Sequence, residues 1–132
     1  MKIEVSEKTK RFYLAFDTWV AAVGHEIKIG KYQFCAVPTS KGVNISEVTS
    51  GAKVLYVPMS VELYLLGSTK EGFVKVLEKY AKIIKEKIEK ENNFDELITS
   101  MQQKSVSKLG EMPLIESFDV DWILAESSGV LH

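Results

Sequence analysis

The chain has very little of what most small active sites are built from. Cys35 is its single cysteine, His25 and His132 are its two histidines and Arg11 is its one arginine among 132 residues. One thiol cannot form an internal disulfide, and one thiol with two imidazoles falls short of a four-ligand zinc set, so no metal or cofactor is expected. Long apolar runs are missing too. No window reaches the ~18 apolar residues of a membrane span, and the opening MKIEVSEKTK places charges where a secretory signal needs an apolar core. A soluble protein of a reducing cytoplasm is the expectation, with no membrane partner. Net charge is scarce as well: 17 basic and 18 acidic side chains leave −1 and a pI near 6.1. Without an overall basic field, nucleic acid is an unlikely partner. Gly42 and Gly51, in SKGV and TSGAK, lack the spacing of a phosphate-binding loop and read as turn glycines. The bias to lysine over arginine suggests an AT-rich coding sequence, and hence a low-GC bacterium or one of its mobile elements or phages.

What the chain does have is one segment in which capping, periodicity and charge agree. Ser68 with Glu71 has capping-box spacing. Phe73, Val76, Leu77, Tyr80, Ile84 and Ile88 recur at steps of three and four, which predicts a long amphipathic helix over about 69–91 whose apolar stripe needs a partner surface. Its other face carries Lys70, Lys75, Lys79, Lys82, Lys85, Lys87 and Lys90. The pairs Glu71 with Lys75, Glu78 with Lys82 and Glu86 with Lys90 are spaced i, i+4 with the acid first, so a solvated face accounts for these lysines. No aromatic interleaves them as a single-strand binder would require.

The first half is rich in β-branched and aromatic residues, and strands are expected there. Glu26–Ile29, Gly30-Lys31 and Tyr32–Cys35 read as a hairpin with a two-residue II′ turn. That register sets Ile29 opposite Tyr32, Ile27 opposite Phe34 and His25 opposite Ala36, with Lys28–Gln33 and Glu26–Cys35 on the other face. Val43–Thr49 and Lys53–Val57 read as a second hairpin through Ser50-Gly51, with Glu47 opposite Val54 or Leu55 according to the loop length. Pro58 ends the last strand. Met1, Ile3 and Val5 alternate with Lys2 and Glu4 as an edge strand would. Residues 9–23 satisfy both periods, and the reading adopted is a short strand at Arg11–Phe16 followed by a helix from Asp17 to Val23 that Gly24 stops. Asn93 with Glu96 is spaced to cap a short helix, residues 103–112 read as a loop, and 117–128 fit a strand or a short helix.

Three constellations are chemically suggestive. Cys35, beside Glu26 and diagonal to Lys28, would be a nucleophile only if its thiolate were stabilised, whereas a free cysteine is ordinarily a small buried hydrophobe. His25 starts a strand on the apolar side and reads as structural. Asp119 and Asp121 form an i, i+2 carboxylate pair without a calcium-loop frame. Charge is also lopsided. After Lys108 there is no basic residue, while Glu111, Glu116, Asp119, Asp121 and Glu126 follow. This acidic end is expected to lie across the lysine-rich helix of its own chain or of a second copy, or to meet a basic partner.

The sequence thus predicts a single α+β domain over 1–132. Residues 1–58 form an antiparallel meander of four or five strands, 68–103 are helical with the long helix packed on one face, and 104–132 are a loop and a docking segment with short C-terminal elements. The function expected is non-enzymatic binding or regulation through a protein partner or self-association, with Trp19, Tyr56, Tyr64, Ile84, Ile88 and Trp122 as anchors. An enzyme using Cys35 or Asp119 and Asp121 in a cleft is the alternative class. Weak nucleic-acid binding through Lys75, Lys79 and Lys82 comes third.

Overall fold

The computed structural model describes residues 1–113. Five strands, β1 (Ile3–Ala15), β2 (Trp19–Ile29), β3 (Tyr32–Thr39), β4 (Gly42–Glu47) and β5 (Lys53–Pro58), are followed by helices α1 (Val61–Leu66), α2 (Lys70–Lys90) and α3 (Phe94–Leu109). The strands form one antiparallel meander in the order β1-β2-β3-β4-β5, so the architecture is α+β with a long helix on the sheet.

The central hairpin adopts the predicted register, from Ile29 opposite Tyr32 to His25 opposite Ala36. Gly30 turns it at φ 59°, which is the requirement of a II′ turn with glycine first. Ile27, Ile29, Phe34, Ala36 and Ile45 therefore project from one face of the sheet, where they pack with Val76, Leu77, Ala81, Ile84 and Ile88 of α2. Each large aliphatic side chain buried there contributes roughly 1.5–3 kcal/mol, an upper range because the unfolded chain is not fully extended. α2 starts one residue later than the capping box implies. Thr69 is its cap, accepting from the Gly72 N–H at 3.0 Å, while the Ser68 hydroxyl donates to the Leu65 carbonyl. The ion pairs on α2 also differ from the sequence pattern: among the described residues they are Lys79 with Glu62 and Lys85 with Glu89.

The helix expected from Asp17 to Val23 is absent. Asp17 and Thr18 lie in the turn after β1, and Trp19–Val23 open β2, which pairs with β1 from Thr9–His25 to Ala15–Trp19 after an irregularity between Val5 and Thr9. Cross-strand packing of β-branched and aromatic side chains outweighs the local helical period. Gly24 is consequently a mid-strand residue and no helix stop. A Cβ there would lie 2.3 Å from the Ala36 carbonyl oxygen, so the close approach of β2 to β3 requires glycine.

β1 and β5 are the two sheet edges, yet the Ala15 N–H donates to the Gly51 carbonyl at 2.9 Å in the loop between β4 and β5. The sheet therefore curls until the tip of the first hairpin meets that loop. Phe12, Leu14, Cys35 and Val48 form a second buried cluster inside the curl. Glu47 opposes neither Val54 nor Leu55. An irregularity after Ile45 places Ser46 opposite Lys53, and the Glu47 N–H donates to the Ala52 carbonyl.

Residues 103–109 continue α3 instead of forming a loop. Asn93 takes the N-cap position of α3 without a side-chain cap bond. The helix crosses the loop ends of the sheet: Gln102 donates to Thr49 Oγ1 at 2.7 Å, and Asp95 accepts from the Tyr32 hydroxyl at 2.6 Å and from Lys31 at 2.9 Å. Asp119, Asp121, Trp122 and the element expected over 117–128 lie outside the described residues.

Candidate functional site

The segment between Pro58 and α2 builds the most unusual surface. Ser60 is extended, at φ −135° and ψ 169°, and its hydroxyl accepts from the Leu63 N–H at 3.1 Å, which starts α1. α1 is a six-residue helix, VELYLL, with apolar residues on every side. Only Leu63 turns inward, into the main core. The consequence follows from helical spacing: Val61, Tyr64 and Leu65, at i, i+3 and i+4, face outward together and remain 75%, 73% and 64% exposed. Met59 and Leu66 beside them are also exposed. Contiguous apolar surface of this kind marks an interaction site more often than isolated exposed residues do.

The platform is held firmly. The Met59 N–H donates to the Lys41 carbonyl at 2.9 Å, Leu63 anchors the inner side, and Glu62 accepts from Lys79 of α2 at 2.9 Å. That carboxylate raises the Lys79 ammonium above its ordinary value, chiefly through the hydrogen bond. Between α1, the β3–β4 end and the start of α2 lies a groove of about 440 Å³, lined by Pro38, Val43, Met59, Leu63, Tyr64 and Phe73 among others. Among the described residues no charged side chain lines it. Such a groove suits an apolar or aromatic anchor and offers nothing to hold a charged substrate in register.

The remaining anchors named from the sequence scatter. Tyr64 is on the platform. Tyr56 is exposed on β5, with the Lys53 ammonium 5.9 Å from its ring centroid. Trp19 is half-buried at the first hairpin tip, where its indole donates to the Gly110 carbonyl. Ile84 and Ile88 are core, 4% and 3% exposed beneath the sheet. Of the charged residues, Lys75 and Lys82 are exposed, and Lys79 is engaged by Glu62.

The chain matches no protein-family model, no curated protein and no solved structure.

Cys35 does occupy its expected register position opposite Glu26, but the curl of β1 and β2 covers that face. Burial pushes its thiol up to about 12, opposed by a backbone hydrogen bond at Ser46 and assisted to a smaller degree by the neighbouring Glu47 carboxylate. A buried, protonated thiol is a poor nucleophile. Glu26 accepts instead from Lys10 at 3.2 Å and Gln33 at 3.1 Å. His25 Nδ1 lies 2.9 Å from the Ser6 carbonyl oxygen and its ring packs 5.3 Å from that of Phe73; the carbonyl only accepts, so Nδ1 carries the proton. Among the described residues no three His, Cys, Asp or Glu side chains converge as a metal site, and no helix is long and apolar enough to cross a membrane.

The platform escapes a reading based on amphipathicity because α1 is too short to have a period. Its signal is compositional: five apolar residues in a six-residue helix behind a serine cap exceed what one side can bury.

Proposed function

We propose that this chain is a small non-enzymatic binding protein of the bacterial or phage-infected cytoplasm, acting through protein contacts made by the α1 platform. The observation that carries the reading is the joint exposure of Val61, Tyr64 and Leu65 on a helix fixed in place by Leu63 and by the Glu62–Lys79 pair. An apolar face held toward water in this way is a costly arrangement for a monomer unless something covers it. The uncharged groove beside it favours an apolar or aromatic side chain of the partner, with Tyr64 as the rigid anchor on this side. Self-association through two such platforms is the same chemistry with a second copy as partner.

Sedimentation of the full chain, alone and with a candidate partner, tests the proposal. Association through α1 persists at high salt and is lost in Leu65→Asp, since both sides of the contact are uncharged. Association that Leu65→Asp leaves intact contradicts it.

A further inference from the structure

A second groove, of about 360 Å³, lies between β5, the C-terminal end of α2 and α3, away from the α1 platform. Leu97 and Met101, four residues apart on α3, share one helix side and give the groove an apolar floor. Leu97 stays 46% exposed. Three ammonium-bearing side chains, Lys53, Lys87 and Lys90, line the groove against one carboxylate, Glu91. Lys87 and Lys90 stand in the last turn of α2, where they complement the helix dipole. That does not account for Lys53, which comes from β5. Among the described residues none of the three makes an ion pair, so the groove carries a net positive charge that the described part of the fold leaves unmatched.

We propose that this groove docks a short acidic segment of a partner protein that carries one aliphatic or aromatic anchor. The anchor covers Leu97 and Met101, while carboxylates on either side of it meet the ammonium groups, whose long flexible stems let them follow the segment. A second copy of this chain fits less well, because a twofold axis through the groove would set like charges against each other. Nucleic acid also fits less well. The two rings that line the groove are engaged, Phe34 in the core and Phe94 edge-to-face with Tyr32 at 4.9 Å, so the floor offers aliphatic contact in place of a base-stacking platform.

NMR titration of the full chain with the end-blocked peptide Glu-Glu-Phe-Glu-Glu tests this, with Gln-Gln-Phe-Gln-Gln and Glu-Glu-Gly-Glu-Glu as controls for charge and anchor. The expected result is saturable shifts at the amides of Val54, Leu97 and Met101, with each control binding several-fold more weakly. Affinity falls several-fold at high salt, which screens the attraction, and likewise in the double variant Lys87→Gln, Lys90→Gln. Both lysines are exposed, so the thermal midpoint of that variant stays near the parent's and the loss is one of binding. No saturable shift there at millimolar peptide, equal binding of either control, tighter binding of oligothymidylate, or a dimer that buries the groove overturns the proposal. The peptide binds Leu65→Asp as it binds the parent, so this proposal and the α1 reading fail separately.

Discussion

Trp19 and Gly110 stand 91 residues apart in sequence, yet the indole N–H of the first donates to the carbonyl of the second at 3.2 Å. This bond joins the tip of the first hairpin to the residue that ends α3. Next to it Lys108 and Asp17 approach only to 3.9 Å, both largely exposed, so the indole is the stronger tie. Trp19→Phe keeps the aromatic packing and removes the donor. It is expected to cost about 1 kcal/mol in urea unfolding and to speed amide exchange in the last turn of α3, while Asp17→Asn changes neither measurably.

Glu47 is a buried carboxylate both of whose oxygens accept hydrogen bonds. Its oxygens take the Thr49 N–H and the Ser50 N–H, each at 2.8 Å, and the Thr49 hydroxyl. They thereby shape the loop whose Gly51 carbonyl receives the Ala15 N–H. Glu47→Ala leaves these donors without partners and is expected to destabilise the fold by roughly 3 kcal/mol. Equilibrium denaturation checks the magnitude. Loss of ordered signals from Thr49 to Ala52 by NMR checks the location.

Asp95 titrates below its ordinary value of 3.8, first because the Tyr32 hydroxyl donates to it and then because Lys31 does. A depressed carboxylate contributes stability above its unfolded value, and the contribution is lost as pH falls through the folded value. Acid should therefore loosen the start of α3 from the central hairpin below about pH 4. Carboxyl-detected NMR titration should give Asp95 a midpoint below 3.8, moving up toward the ordinary value in Tyr32→Phe. An unchanged midpoint in that variant contradicts the assignment.

The thiol of Cys35 should stay unmodified by a disulfide reagent at pH 8 until the protein unfolds. Its folded value is about 12. Between the ordinary cysteine range and that value the unfolded chain releases a proton that the native chain keeps, so this group makes stability fall as pH rises. Cys35→Ala should flatten the alkaline limb of a stability–pH curve.

Much of the scaffold is legible in the sequence because two independent signals coincide there. Gly30 and the alternating residues around it specify the central hairpin to the residue, and the stripe from Val76 to Ile88 specifies the face of α2 that the sheet covers. Residues 9–23 are misread because Phe12, Phe16, Trp19 and Val23 satisfy a helical period, while the deciding partners, Ala22 against Phe12 and Val20 against Leu14, exist only once the strands pair. α3 is read too short for a different reason. Its buried position in the final turns is Ser105, and Gln102 before it reaches the β4–β5 loop through a polar bond to Thr49, so no apolar repeat announces them. The α1 platform is invisible to any rule that seeks apolar residues inside. Of the expected anchors, Tyr64 lies on it, and Ile84 and Ile88 are consumed by the core.

Whether Val61, Tyr64 and Leu65 form a contact surface is read out by a photocrosslinking amino acid placed at position 65 in the native host, with position 82 on the exposed face of α2 as control. The expected result is one discrete adduct from position 65, none of matching mass from position 82, and loss of the adduct in Tyr64→Ala, whose thermal midpoint stays within error of the parent because that side chain is exposed. Identical adducts from both positions, or an adduct at 65 that survives Tyr64→Ala, would contradict it.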